Sequence, residues 1–143
     1  MNKFGKTYDE ISVGESAEFA KTITEADIVT YAGLSGDFNP MHMNAEFAKK
    51  TYFGERVAHG PISLGLIAPV IGMQLPGPGC ILLSLSGDFK APVKIGDTVT
   101  ARAEVAEKIA DKKTIRLALS FKNQRGEEVI SGEAVVSPVR TRG

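Results

Sequence analysis

Gly60-Pro61-Ile62-Ser63-Leu64-Gly65-Leu66-Ile67-Ala68-Pro69-Val70-Ile71-Gly72 opens a run that reaches Gly87 without a single charged side chain. A membrane span needs about 20 consecutive apolar residues. Pro76-Gly77-Pro78-Gly79 divides the run before that length is reached, so a membrane helix is not expected. The pattern predicts instead a deeply buried helix followed by a buried strand. Pro61 suits the first turn of that helix, where its missing N–H costs nothing. Pro69 is expected to kink or shorten it. The helix is apolar on all sides, so the rest of the chain must wrap it.

The C-terminal half supplies the wrapper. Val99, Ala101, Ala103 and Val105 alternate with Thr100, Arg102 and Glu104, and Ile115, Leu117, Leu119 and Phe121 alternate with Arg116, Ser120 and Lys122. Period two marks strands with one buried face. Asp111-Lys112-Lys113 and Asn123-Gln124-Arg125-Gly126 read as hairpin turns. Cys80 to Lys90 and Glu128 to Val136 read as two further strands, and Glu18 to Ile23 as an edge strand. Upstream, Thr24-Glu25-Ala26-Asp27 has the form of a capping box. Ile28, Val29 and Ala32 continue it as a short amphipathic helix ending near Gly33 to Gly36. Asn44 suits the cap of a second short helix, Ala45 to Lys50. Helices followed by an antiparallel meander make an α+β fold. The economical form is one domain over residues 1–143, with an antiparallel sheet around a central apolar helix.

Composition narrows the function. Lys+Arg and Asp+Glu are both 17 in 143 residues, a formal net charge of zero. Before Arg140-Thr141-Arg142 no basic block exceeds two residues, and phosphate backbones require a positive footprint. Nucleic acid is not an expected partner. Cys80 is the only cysteine, which excludes an intramolecular disulfide and a cysteine-built zinc site. With no apolar signal segment at Met1 to Lys6, a reducing cytoplasm fits best. A neutral surface does nothing to oppose self-association.

The chemistry concentrates in Asp37-Phe38-Asn39-Pro40-Met41-His42. His42 and His59 are the chain's two histidines. Residues five apart do not share a helix face, and Pro40 pushes Asn39 out of helical geometry. The segment is therefore expected to be a shaped loop that turns Asp37 and His42 inward together. Such a pair can hold a water and move its protons. Asp37 alone would be read as tightening the turn after Gly36, and His42 alone as a structural histidine; their spacing favours catalysis. Asn39 suits turn initiation or bracing of Asp37. His59 is expected to orient the loop before Gly60. Gly60 is either a helix entry point or a backbone donor to a developing oxyanion, and glycine there lets substrate approach the backbone. Tyr31 is expected to pack, and Arg56, Lys90 and Lys94 to be solvated surface cations or contacts for a ligand's phosphates.

Tyr31-Ala32-Gly33-Leu34-Ser35-Gly36-Asp37-Phe38-Asn39-Pro40-Met41-His42 closely resembles the signature of the MaoC-like hydratases, the (R)-specific enoyl-CoA hydratases and 3-hydroxyacyl-thioester dehydratases of hot-dog fold. Val57-Ala58-His59-Gly60 and Phe89-Lys90-Ala91-Pro92-Val93-Lys94-Ile95-Gly96-Asp97-Thr98 extend the likeness over most of the chain. The resemblance implies that Asp37 and His42 are the catalytic pair and that the Gly60 N–H donates to the thioester carbonyl. It also implies a homodimer with joined sheets, active sites at the interface and a tunnel for the pantetheine arm. Relatives often carry a serine eight residues beyond the equivalent of Gly60; Ala68 stands there, and Ser63 is out of register.

The expected reaction is reversible hydration of a trans-2-enoyl-CoA to the (R)-3-hydroxyacyl-CoA, with no metal or redox cofactor. Alternatives are a 3-hydroxyacyl dehydratase acting on acyl carrier protein, a hot-dog thioesterase and a non-catalytic acyl-CoA-binding module. Asn39 and His59 are expected to border the substrate, and Ile62, Leu66 and Val70 to shape its apolar tunnel.

Overall fold

The computed structural model describes residues 3–141. The part of the basic tail at Arg142 lies outside them. Strand β1 (Ser16–Thr22) leads to helix α1 (Glu25–Ser35), the single-turn helices α2 (Pro40–Met43) and α3 (Ala45–Ala48), and the pair α4 (Gly60–Leu64) and α5 (Ile67–Met73). Strands β2 (Ile81–Phe89), β3 (Thr98–Ile109), β4 (Thr114–Lys122) and β5 (Glu128–Ser137) follow. All five strands form one antiparallel sheet in the order β1-β3-β4-β5-β2. Only β3, β4 and β5 form a meander of chain neighbours. The second strand crosses to the far edge, pairing with β5 from Ile81↔Ser137 to Phe89↔Ile130.

The alternation seen in the sequence is the sheet's inner face. Val99, Ala101, Ala103, Val105, Ile115, Leu117 and Phe121 are all buried, in one cluster with Ile67, Val70 and Ile71 of α5 and Ile28 of α1. At about 25 cal/mol per Å² of apolar surface, this cluster is the main stabilising element. Register shifts between Leu82 and Ser84 and between Val105 and Glu107 are bulges, which bend and twist a sheet.

The local signals were sound where capping decides the structure. Thr24 Oγ accepts from the Asp27 N–H, and the Asp27 carboxylate accepts from the Thr24 N–H. Asn44 caps α3 through the Phe47 N–H.

Three expectations need correction. The central helix breaks at Gly65–Leu66, upstream of Pro69. Pro69 falls in the first turn of α5, where a helix has no use for its N–H, so it does no damage. The broken helix is also covered on one side only: Ile67, Val70 and Ile71 are buried while Ala68 and Met73 are exposed. Finally, β2 is not a buried strand. Its residues are exposed almost throughout, Ile81, Leu83 and Phe89 each by more than half, because β2 is an edge strand that α4 meets only near Gly87 and Phe89. Among the described residues no helix is long and apolar enough to cross a membrane.

Candidate active site

Helix α1 ends at Gly36, which takes the left-handed conformation with φ 81°. Glycine adopts it without the steric cost that a Cβ brings. The reversal delivers Asp37 to the rim of the site. The Asp37 Oδ1 accepts from the Asn39 N–H at 3.1 Å, so Asp37 does tighten its turn while its other oxygen has no protein donor among the described residues. Asn39 Oδ1 accepts from the Met41 N–H at 3.0 Å and caps α2, with Pro40 as its first residue. The expected loop is therefore a loop only as far as Asn39, and His42 rides on a single helical turn. Asn-Pro is a turn signal, but it is equally an N-cap followed by proline in the first turn, and that second meaning prevails here.

His42 is buried, and its Nδ1 lies 2.7 Å from the Val57 carbonyl oxygen. A carbonyl only accepts, so Nδ1 carries the proton. In the neutral ring Nε2 is then the basic nitrogen. His59, 1% exposed, is fixed in the opposite sense: its Nε2 lies 2.9 Å from the Asp37 carbonyl oxygen and is the protonated nitrogen. The two imidazoles stack with centroids 4.0 Å apart, and Tyr31 packs on His59 at 4.8 Å. His59 thus ties the Asp37 backbone to the His42 ring; the sequence leads one to expect that it orients the loop before Gly60. Polar atoms of Asp37, His42 and His59 lie within 4.8 Å of one another.

His42 and Gly60 border a cavity of about 480 Å³, a volume suited to a small ligand, whose other walls include Met41, Phe53, Phe89, Val93 and Ile130. Gly60 is the first residue of α4, so its N–H has no intrahelical acceptor. A Cβ there would lie 2.6 Å from the Phe89 ring, so glycine is what lets the ring and the helix start come together. Of the expected site residues, His42 and Gly60 line the cavity. Asp37 and His59 lie close to His42 and Asn39 is bonded to Asp37, but none of these three lines it, so, against expectation, Asn39 and His59 do not border the cavity. Ile62, Leu66 and Val70 do not line the cavity; Leu66 and Val70 belong to the core, because the break at Gly65 turns α5 toward the sheet. Ala68 is on an exposed face outside the cavity.

Two residues near the site stand differently from their sequence reading. Ser63, one turn after Gly60, lines the cavity with a buried hydroxyl that has no partner. Arg56 is no solvated cation: it donates to Glu25 and to the His42 carbonyl. Its place directly before Val57-Ala58-His59-Gly60 was the available signal. Lys90 and Lys94 are paired with Glu128 and Glu55.

A curved antiparallel sheet laid over an apolar helix is the hot-dog fold. The unliganded R-hydratase of Pseudomonas aeruginosa superposes with a TM-score of 0.90 and 41% identity, over 96% of this chain and 88% of that one. The MaoC-like domain family matches residues 10–125, and the chain belongs to it. It is 47% identical over 129 residues to the (R)-specific enoyl-CoA hydratase of Rhodospirillum rubrum, covering 90% of this chain and 89% of that protein. It is 42% identical over 129 residues to a 3-hydroxybutyryl-CoA dehydratase of Methylorubrum extorquens, covering 90% and 82%.

Proposed function

We propose that the chain catalyses the reversible hydration of a trans-2-enoyl-CoA to the (R)-3-hydroxyacyl-CoA. The observation that carries this reading is the tautomer of His42. The Val57 carbonyl holds the proton on Nδ1 and leaves Nε2 basic, beside Asp37 and on the wall of an apolar cavity. A water held between Nε2 and the Asp37 carboxylate gives its oxygen to the β-carbon. The proton it loses is returned to the α-carbon by the same pair. The Gly60 N–H supports the thioester oxygen as enolate charge develops. Water is the only co-reactant, so the reaction calls for no metal or redox cofactor. Dehydration is the same path in reverse. The coenzyme A carrier is favoured by the names of the relatives above.

The active unit is proposed to be a cytoplasmic homodimer. Strand β2 is apolar, exposed, and paired on one side only; Asp88 is its single charge. Such an edge is a template for a second strand, and two copies joined there would form one continuous sheet and cover the open side of α4 and α5. Light scattering is expected to give about twice the 15.3 kDa chain mass, and Leu83→Lys to give monomers of lower activity. A compact, fully active monomer removes the dimer from the reading.

The deciding assay follows loss of the conjugated enoyl thioester of crotonyl-CoA and resolves the product's configuration. Formation of (R)-3-hydroxybutyryl-CoA supports the proposal. Tight acyl-CoA binding without turnover, on short and long chains alike, replaces it with a binding module.

A further inference from the structure

Arg56 stands where the three segments that build the site meet. Its Nε donates to the His42 carbonyl at 2.6 Å, and its two terminal nitrogens donate to the two Glu25 carboxylate oxygens at 2.8 and 3.0 Å. Glu25 opens α1, the helix that ends by delivering Asp37. His42 lies in α2, a single turn whose last carbonyls lack intrahelical donors. Val57, the next residue, accepts from His42 Nδ1. Its neighbour Ala58 is tied to the Val93 carbonyl at 2.7 Å, and the chain then reaches His59 and Gly60. One guanidinium therefore links the carrier of Asp37 to the backbone of His42, from the very strand segment that holds the His42 ring.

We propose that Arg56 is a positioning residue for the acid/base pair: it fixes the backbone of His42 against α1, while Val57 fixes its imidazole. The effect on rate rests on the hydratase reading; the geometry does not. An isolated exposed ion pair contributes only about 0–1 kcal/mol, so a bridge to Glu25 alone would matter little. What distinguishes Arg56 is the third bond. Its side chain is 17% exposed, against 55% for Glu25, and its fork satisfies a carboxylate and a helix-end carbonyl in one plane. A lysine ammonium is a single point and has no equivalent of Nε. Losing that bond frees a one-turn helix held otherwise by its Asn39 cap and the His42 ring, and lets His42 drift from Asp37.

The test uses the full chain with Arg56→Lys and Glu25→Gln. Steady-state kinetics on crotonyl-CoA are paired with ¹⁵N-imidazole NMR, which is tractable because the chain has only two histidines. Arg56→Lys is expected to lower kcat about 10- to 100-fold, the order that a displacement near 1 Å brings. KM should stay within about twofold, and the His42 Nδ1–H signal should shift. Glu25→Gln keeps the Nε bond and is expected to lower kcat less, with a smaller shift; it also decides the matter if Arg56→Lys does not fold. Wild-type kcat with an unmoved His42 signal overturns the proposal. So does a loss confined to KM with an unmoved signal, which would make Arg56 a contact for the carrier's phosphates. If the wild type hydrates neither crotonyl-CoA nor longer-chain enoyl thioesters, the hydratase reading falls, and the NMR shift alone still decides whether Arg56 positions His42.

Discussion

Gly36-Asp37 and Gly96-Asp97 are the same dipeptide in the same conformation, with glycine φ of 81° and 94°, yet their carboxylates lead opposite lives. Asp97 is 5% exposed. It accepts from the Lys94 N–H at 2.9 Å and the Gln124 amide at 2.8 Å, with Arg125 at 3.5 Å. Burial on its own pushes the Asp97 carboxyl up; these donors and the nearby guanidinium outweigh it and hold the group below its ordinary range. Oδ2 closes the turn before β3, and Oδ1 joins that turn to the β4–β5 hairpin. Asp37 is exposed and accepts one backbone N–H. An aspartate after a left-handed glycine is thus no indicator of role. The surrounding donors decide, and those around Asp37 leave an oxygen open next to His42.

The contrast is broken most severely by exchanging carboxylate for amide at each site. Asp37→Asn is expected to lower kcat/KM on crotonyl-CoA about 1,000-fold, within the range of general acid–base contributions. Its melting temperature should stay near wild type, as for most exposed substitutions. Asp97→Asn is expected to do the reverse. It should lose about 1–3 kcal/mol in denaturant unfolding, because three donors lose an ionised acceptor that is itself buried, while the folded fraction keeps its kcat. Turnover by Asp37→Asn at the wild-type rate would remove Asp37 from the mechanism.

The pH dependence sharpens the comparison further. Because the folded Asp97 carboxyl lies below its unfolded value, its stabilisation is fully present above the ordinary carboxylate range and is lost as pH falls through the folded pKa. The stability gap between wild type and Asp97→Asn, measured by unfolding at a series of pH values, should therefore be constant near neutrality and close below about pH 4. A gap that persists at lower pH would mean that packing, not charge, dominates there. The smallest effect belongs to the glycines. Neither has an atom within 4 Å of an added Cβ, so Gly36→Ala and Gly96→Ala should each cost only the left-handed strain, about 1–2 kcal/mol. Equal losses of stability with activity falling only in Gly36→Ala would complete the pattern.

The sheet was legible because β3, β4 and β5 each bury one face, and a half-buried strand writes its period into the sequence. Strand β2 was legible as a strand but misplaced. Absence of charge was taken as burial within the chain, whereas it accompanies an exposed apolar edge. The Asp37/His42 pair was legible from spacing and from the family signature. Its helical turn was not, because Asn39-Pro40 serves loops and helix starts alike. The places of Leu66 and Val70 depended on the direction of α5 after the break at Gly65–Leu66, which no periodicity encodes, and Ile62 of α4 lies outside the cavity as well. The role of Arg56 was hard to read for another reason: its partners are a carboxylate 31 residues upstream and a backbone carbonyl, so its place before Val57-Ala58-His59-Gly60 was the one local mark.

The crossing of β2 also governs how the chain is made. Its partner β5 is the last strand, so Phe89 waits for Ile130 and Ile81 for Ser137. During synthesis from the N-terminus, helices α1 to α5 and the most apolar strand emerge before any strand that can cover them, since β1 itself pairs only with β3. Long-range pairing of this kind is slow and exposes sticky surface meanwhile. The nascent chain therefore passes through a window in which the Asp37–His42 segment is complete in sequence and unsheltered in space, and in which chaperone capture competes with folding.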